Sequence, residues 1–110
     1  MDKLAVINTL NALAQESRLD IFRLLVEKGP TGYPVGIIGE KLGLPHATLS
    51  FHLDKLRQAG LIVSEKQGRT TIYQANYDVL VGAIKYLTEN CCKESDMDCR
   101  IEIKQKKECC

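Results

Sequence analysis

Apolar residues recur every three or four positions at the start of the chain, a spacing typical of one face of an α-helix. The stripe formed by Leu4, Ile7 and Leu10 predicts a first helix over residues 3–14. Ser17 is the predicted N-cap of a second helix, because a serine hydroxyl can accept a bond from a first-turn amide. The second helix ends at a Gly-Pro pair, since proline cannot continue it.

Two shorter segments with the apolar spacing of a helix follow, over residues 35–43 and 46–59. Gly43 and Gly60 close them, and glycine is the residue that most readily adopts the left-handed conformation at a helix end. Two short helices joined by a glycine-containing turn form a helix-turn-helix signature. Residues 31–34, which precede them, are predicted to form only a short turn.

The period changes after the second of these helices. Apolar and β-branched runs at 61–63 and 70–73 flank a polar segment with a glycine, which predicts a β-hairpin. A final helix is predicted over about 77–91, with Asn76 or Asp78 as its cap.

The order of these elements predicts a mainly α fold with a small β-hairpin (α+β), arranged as a winged helix-turn-helix. The first and last helices are predicted to form the contact of a homodimer. The predicted domains are residues 1–92, for DNA binding and dimerisation, and residues 93–110, a flexible cysteine-rich tail whose sequence is charged and lacks periodicity.

Composition adds modest constraints. Hydrophobic residues make up 45% of the chain, as in ordinary globular proteins. No targeting segment or membrane-spanning run is visible, so we expect a cytoplasmic protein without a membrane partner. The net charge is only +1, but residues 31–70 carry five basic and three acidic side chains, an excess compatible with phosphate contacts.

The predicted fourth helix has two contrasting faces. Leu49, Leu53 and Leu56 cluster on one side of a helical wheel and are expected to face the core. A recognition helix presents its N-terminal residues to base edges in the major groove of double-stranded DNA. The side chains predicted to contact operator DNA from this helix and the hairpin are His46, Thr48, Ser50, Phe51, His52, Lys55, Lys66 and Arg69.

These side chains have different expected roles. The short polar groups at the start of the helix can reach base edges, and the three basic groups suit phosphates. Phe51 could contact a thymine methyl group, or instead pack on a neighbouring helix or the hairpin. His46 and His52 lie six residues apart on different helix faces, which disfavours a shared metal site.

Residues 42–61, with Leu-Ser-Phe-His-Leu at 49–53, resemble the recognition helix of the ArsR/SmtB family of metal-responsive repressors. Residues 13–25 resemble the opening helices of that family, and the hairpin around Gly68 resembles its wing. The resemblance covers about residues 5–88. It implies a homodimeric repressor on a palindromic operator, which needs no cofactor for DNA binding and is not an enzyme.

The cysteines are concentrated in the last twenty residues. A tail this polar cannot bury five thiols, which favours reactivity over packing. Two ligand sets that the resemblance implies are absent, since residues 35–40 lack cysteine and the last helix lacks histidine. The five cysteines are Cys91, Cys92, Cys99, Cys109 and Cys110.

Cys91, Cys92 and Cys99 are the predicted metal ligands, and Cys109 and Cys110 form a weaker candidate pair. Adjacent cysteines on an ideal helix point about 100° apart, so both reach one ion only where the helix ends. Soft thiolates suit arsenite, and some arsenic-sensing members of the family carry a similar adjacent pair and third cysteine. As(III), or Sb(III), is therefore the predicted inducer that releases the repressor from DNA.

Four other interpretations remain open at this point. The vicinal thiols could be oxidised instead of metallated, which would make the chain a redox-sensing repressor. A zinc or cadmium sensor is supported by the thiols and weakened by the absent histidines. A thiol-based arsenate reductase or metal carrier lacks an anion-binding loop or catalytic pair, and a constitutive DNA-binding module would carry an inert tail.

Overall fold

The computed structural model describes residues 1–91 and 93–94, and within them the predicted fold class is confirmed. Helices dominate, and a small antiparallel sheet follows the helix-turn-helix. The elements are α1 (Lys3–Leu13), α2 (Glu16–Lys28), β1 (Tyr33–Pro34), α3 (Val35–Leu42), α4 (His46–Gln58), β2 (Ile62–Gln67), β3 (Thr70–Ala75) and α5 (Tyr77–Thr88).

The start of α2 differs from the prediction. Gln15, and not Ser17, is its N-cap, because the Gln15 backbone is extended and its Oε1 accepts a bond of 2.8 Å from the Arg18 amide. Ser17 already lies in the first turn of the helix. The end of α3 is as expected, since Gly43 adopts the left-handed conformation with φ +66°.

The sheet contains a strand that the sequence did not predict. Residues 31–34 were expected to form a turn, yet Tyr33 and Pro34 pair with β3, which gives the strand order β1-β3-β2. Gly32 permits this approach, because it has φ +65° and a side chain there would collide with the Tyr73 carbonyl. A two-residue strand is too short to produce a periodic pattern, and only pairing with β3 defines it.

The hairpin of β2 and β3 is confirmed and projects from the domain. Its pairing runs from Ile62 opposite Ala75 to Gln67 opposite Thr70. Gly68 has φ +63° in the turn. Only the first residue of β2 is buried, so the rest of this strand is exposed, as expected for a wing.

The core lies where α2, α3, α4 and the base of the hairpin meet. The three leucines of α4 that were predicted to face inward do so. Each fully buried aliphatic side chain contributes on the order of 1.5–3 kcal/mol, so this contact defines the orientation of α4 about its axis. The buried core residues are Ala12, Ile21, Phe22, Leu25, Ile38, Leu49, Leu53, Leu56, Leu61 and Ile62.

The apolar stripe that predicts α1 faces away from the core of the single chain. Leu4 is 67% exposed and Ile7 and Leu10 are also exposed, whereas other residues of the helix are buried. Helix α1 packs against α5, on which Leu87 is 60% exposed. The two packed helices therefore carry large apolar side chains with no cover within the described part of this chain.

The start of helix α5 is hydrogen-bonded to the turn that follows the recognition helix. Asn76, one of the two predicted caps, is the N-cap residue of α5, but its side chain makes no capping hydrogen bond. Its Nδ2 instead donates to the Gly60 carbonyl at 2.9 Å, and its backbone N–H donates to the Leu61 carbonyl. The Tyr77 hydroxyl donates to the Val26 carbonyl at 3.1 Å, at the end of α2. These bonds join the beginning of α5 to the turn after α4 and to the end of α2.

The other end of α5 comes earlier than predicted. The helix ends at Thr88 and does not continue to residue 91, and Asn90 has φ +61° in the turn that follows. Cys91 lies in this turn, and its N–H donates to the Thr88 carbonyl at 3.1 Å. No helix of the described residues is long and apolar enough to span a membrane.

Candidate nucleic-acid interface and thiol segment

The exposed face of α4 is a direct consequence of the inward packing of its leucines. Helix α4 begins at His46 after Pro45, which offers no side-chain acceptor to the first-turn amides. A helix N-terminus of this kind has a partial positive charge and favours phosphate groups nearby. The side chains on the exposed face are His46, Thr48, Ser50, Phe51 and Lys55.

Phe51 is 55% exposed, which is unusual for a large aromatic side chain of a small domain. The two contacts found for its ring come from its own helix. The His52 ring meets it edge-on with centroids 5.5 Å apart, and the Lys55 ammonium lies 5.4 Å from its centroid. The ring therefore presents an apolar surface beside a cation on the exposed face of α4.

His52 corrects the set of predicted DNA contacts. It is only 8% exposed, and its Nδ1 accepts from Arg18 Nη1 at 3.3 Å. The histidine lies three residues after Leu49 and four before Leu56, which is the spacing of the buried face. His52 thus joins α4 to α2 and does not share the exposed face with the other predicted residues.

Arg18 was not singled out from the sequence, although it holds this junction together. Its Nε donates to the Ala12 carbonyl at 2.7 Å, while Nη1 donates to His52. The guanidinium therefore links the end of α1, the start of α2 and the recognition helix. The only sequence signal was the resemblance of the stretch around it, since its partner lies 34 residues away.

Burial lowers the pKa of His52 below its ordinary value of 6.5, and the charge of Arg18 lowers it further. Both effects disfavour the protonated ring. The neutral ring with Nδ1 as acceptor is the form that suits the Arg18 donor.

The wing supplies the remaining predicted contacts. Lys66 near the end of β2 and Arg69 beside the hairpin turn are both exposed. Neither forms an ion pair with a described residue, so both charges are available to an anionic partner. Phosphate contacts of this kind position a protein on DNA without reading its sequence.

The predicted thiol ligands are not brought together in the described part of the chain. Cys91 is exposed in the turn after α5, whereas Cys92, Cys99, Cys109 and Cys110 lie outside the described residues. Among the residues described, no group of three histidine, cysteine, aspartate or glutamate side chains is placed to hold a metal ion. The thiol site therefore stays a prediction.

A family model described as a helix-turn-helix domain matches residues 13–65. The chain is 38% identical over 79 residues to the HTH-type transcriptional regulator NmtR of Mycobacterium tuberculosis, a match that covers 72% of this chain and 62% of that protein. The chain spans about six-tenths of the length of the curated relatives that it matches. Two of these relatives are described as HTH-type transcriptional regulators, which are DNA-binding proteins and not enzymes.

Solved structures show the same architecture. An ArsR-like transcriptional regulator from Rhodococcus sp. RHA1 has a TM-score of 0.72 at 23% identity, with 83% of each chain covered, which supports the fold alone. The homodimeric winged helix-turn-helix DNA-binding domain of a possible ArsR-family regulator from Mycobacterium bovis has a TM-score of 0.63 at 25% identity. That match extends over 84% of this chain and 86% of that chain.

The buried histidine predicts a pH dependence of stability. Because its folded pKa is lowered, the His52 contribution is fully present above about pH 6.5 and is lost as the pH falls through the folded pKa. We expect His52→Asn, whose amide oxygen can still accept from Arg18, to lose less unfolding free energy than the wild type between about pH 7.5 and about pH 5. Urea unfolding at each pH measures this.

The matched control is His46→Asn, on the exposed face of the same helix. It should retain the wild-type difference between the two pH values. An equal acid sensitivity of wild type and His52→Asn would show that this histidine does not titrate with folding.

Proposed function

We propose that the chain is a winged-helix transcriptional regulator of the ArsR/SmtB family and acts as a homodimeric repressor that As(III) releases from its operator. The effector binds thiolates that follow α5, with Cys91, Cys92 and Cys99 as its ligands and Sb(III) as a second candidate ion. The protein acts in the cytoplasm. The observation that carries the proposal is the exposed thiol in the turn where α5 ends.

DNA binding is assigned to the exposed face of α4 and to the wing. Thr48 and Ser50 are short polar groups near the start of α4, where a recognition helix meets base edges. Phe51 offers an exposed ring to a thymine methyl group, and Lys55 beside it suits a phosphate. Lys66 and Arg69 of the wing supply further phosphate contacts.

Dimerisation is assigned to α1 and α5. A two-fold contact buries the same surface of both subunits, and the exposed apolar side chains of these packed helices form such a surface. The similar domain from Mycobacterium bovis is described as homodimeric. Burial of Leu4, Ile7, Leu10 and Leu87 in the dimer would remove the largest exposed apolar groups of the two helices from water.

The thiol assignment follows from the end of α5. Vicinal cysteines can direct both sulfurs to one ion only when the backbone leaves the helix, and α5 ends three residues before Cys91. Thiolates are the ligands that a soft ion such as As(III) prefers. Six residues separate Cys92 from Cys99, enough chain for the third thiolate to return to the same ion.

Coupling to DNA is assigned to α5 as a whole. Its start is bonded through Asn76 to Gly60 in the turn that follows α4, and its length packs on α1. An ion bound after Thr88 would change the dimer contact and so misalign the two recognition helices. The required coupling free energy is on the order of 1–3 kcal/mol, which a differential affinity of the ion for the two states supplies.

A redox-sensing or a zinc- or cadmium-sensing repressor of the same fold is the second candidate. The exposure of Cys91 favours it as well, because accessible vicinal thiols can be oxidised to a disulfide or bind another soft ion. Comparison of arsenite under reductant, peroxide alone, and zinc or cadmium distinguishes these effectors.

The DNA assignment predicts that two kinds of substitution have different effects on DNA binding. Lys66→Ala and Arg69→Ala should weaken binding to all duplexes alike and lower the slope of log affinity against log salt by about 1 for each lost phosphate contact. Ser50→Ala should relax discrimination at one base pair by about 1–3 kcal/mol. Fluorescence anisotropy with a duplex selected by the wild type measures both effects.

Lys85→Ala, an exposed lysine on α5, is the control and should leave the salt slope unchanged. Equal slopes for wild type and both wing variants would remove the wing from the interface.

The dimer assignment predicts that Leu4→Glu produces monomers at concentrations at which the wild type is dimeric. A carboxylate in the middle of an apolar contact loses its hydration without a partner. Sedimentation equilibrium measures the mass in solution. The control is Leu19→Glu on α2, because Leu19 is 45% exposed and lies outside the proposed contact; dissociation of this variant, or a dimeric Leu4→Glu, would contradict the assignment.

The thiol assignment predicts that Cys91→Ser and Cys92→Ser remain on operator DNA at an arsenite concentration that releases the wild type completely. A serine hydroxyl is a poor ligand for a soft ion. Anisotropy under reductant measures release, and Cys110→Ser is the control that should behave like the wild type. Full arsenite-induced release of Cys92→Ser would show that the assigned ligand set is wrong.

A further inference from the structure

A polar cavity of about 490 Å³ lies between α1, α2 and the second half of the recognition helix. Its volume lies in the range of ligand-binding sites, but polar groups dominate its lining, so an apolar ligand would not suit it. The lining residues are Asn8, Asn11, Ala12, Arg18, Lys55, Gln58 and Ala59.

The cavity has an excess of positive charge. Arg18 and Lys55 line it, and none of the lining residues is acidic. Neither cation forms an ion pair with any residue that the structure describes. The nearby Asp54 carboxylate accepts from Gln58 Nε2 at 2.8 Å, but Arg57 holds its other oxygen at 2.7 Å and offsets its charge.

Arg18 is held in place before any ligand arrives. Its Nε and Nη1 are bonded to the Ala12 carbonyl and to His52, which fixes the plane of the guanidinium at the cavity wall. An arginine fixed in this way loses little side-chain entropy when it binds an oxyanion, because its planar fork is already oriented. Two cavity cations thus come from different elements, α2 and α4.

Helix α1 adds neutral hydrogen-bond donors opposite these cations. Asn8 and Asn11 are three residues apart and therefore lie on the same face of the helix. Their amide groups can donate to oxygens that the two cations attract. A cavity with two cations and two amides suits a group with several acceptor oxygens and negative charge.

We propose that this cavity binds the phosphate group of a phosphate ester, with Arg18 and Lys55 as cationic contacts and Asn8 and Asn11 as amide donors. Its volume leaves room for the organic part of the ester beside the phosphate. The phosphate comes either from the backbone of bound duplex DNA or from a small free phosphate compound. The DNA source rests on the proposed function, whereas the free source does not.

Asn8→Asp tests the site, because it places a carboxylate where an oxyanion would bind. Asn8 is exposed on α1, so the substitution leaves the core untouched. Asn8→Ser is the neutral comparison at the same position, since it removes the amide donor without adding a charge. Asn90→Asp is the control for charge, since it makes the same chemical change in the turn after α5, where φ is +61° and aspartate is tolerated.

Two measurements on the full chain, without metal, separate the sources. The first is a titration with inorganic phosphate followed by the side-chain amide and guanidinium NMR signals, against sodium chloride at equal ionic strength. The second is anisotropy with a duplex of random sequence. Thermal unfolding of each variant verifies that it is folded.

The proposal expects Asn8→Asp to weaken binding of at least one probe by roughly tenfold, Asn8→Ser to weaken binding of the same probe by less, and Asn90→Asp to stay within about twofold of the wild type. If Asn8→Asp binds only the duplex more weakly, the ligand is backbone phosphate. If it binds inorganic phosphate more weakly, the ligand is a free phosphate compound. Unchanged binding of both probes by Asn8→Asp overturns the site even if the wild type binds DNA. A wild type that binds no duplex overturns the proposed function, and the phosphate titration then decides the site by itself.

Discussion

The burial of one face of α4 is the constraint on which the rest of the interface depends. Leu49, Leu53 and Leu56 pack into the core and so prevent the helix from rotating about its axis. The same packing leaves Ser50 and Phe51 on the outside, where a duplex can reach them. The proposed DNA contacts of the outer face therefore depend on the apolar packing of the inner face.

Arg18 adds hydrogen bonds to the apolar packing that holds α4 in place. By holding the Ala12 carbonyl and the His52 ring, it ties the recognition helix to the junction of α1 and α2. Burial and the guanidinium charge both disfavour the protonated imidazole, so both lower the pKa of His52 and favour the neutral ring, whose Nδ1 accepts from Arg18. The same arginine lines the polar cavity, so one side chain serves both the core junction and a candidate anion site.

In the proposed mechanism, helix α5 connects the ion-binding thiols to the recognition helix. Asn76 bonds its start to the turn that follows α4, and Cys91 lies three residues after the last residue of α5. Because α5 also packs on α1, an ion bound after its last turn would act on the dimer contact and the recognition helix through the same rigid element. The proposed dimer contact also accounts for the exposed apolar side chains on α1 and α5, since a second subunit would cover them.

The sequence by itself determined the elements whose signals are local. Helical periodicity, the glycine at 43 and the β-branched runs of the hairpin depend on neighbours within a few residues, and these predictions were confirmed. The exposed face of α4 was also predictable, because three leucines at helical spacing define the opposite face. The family resemblance rested on the same stretch.

Only the tertiary structure decided the features that depend on distant partners. The two residues of β1 form a strand because β3 lies beside them, and His52 has a hydrogen-bond partner because α2 brings Arg18 next to α4. The α1 stripe indicated a helix correctly but could not indicate whether it faced the core or solvent. Periodicity reports that one face is apolar, whereas the contact that covers this face depends on residues far away in the chain.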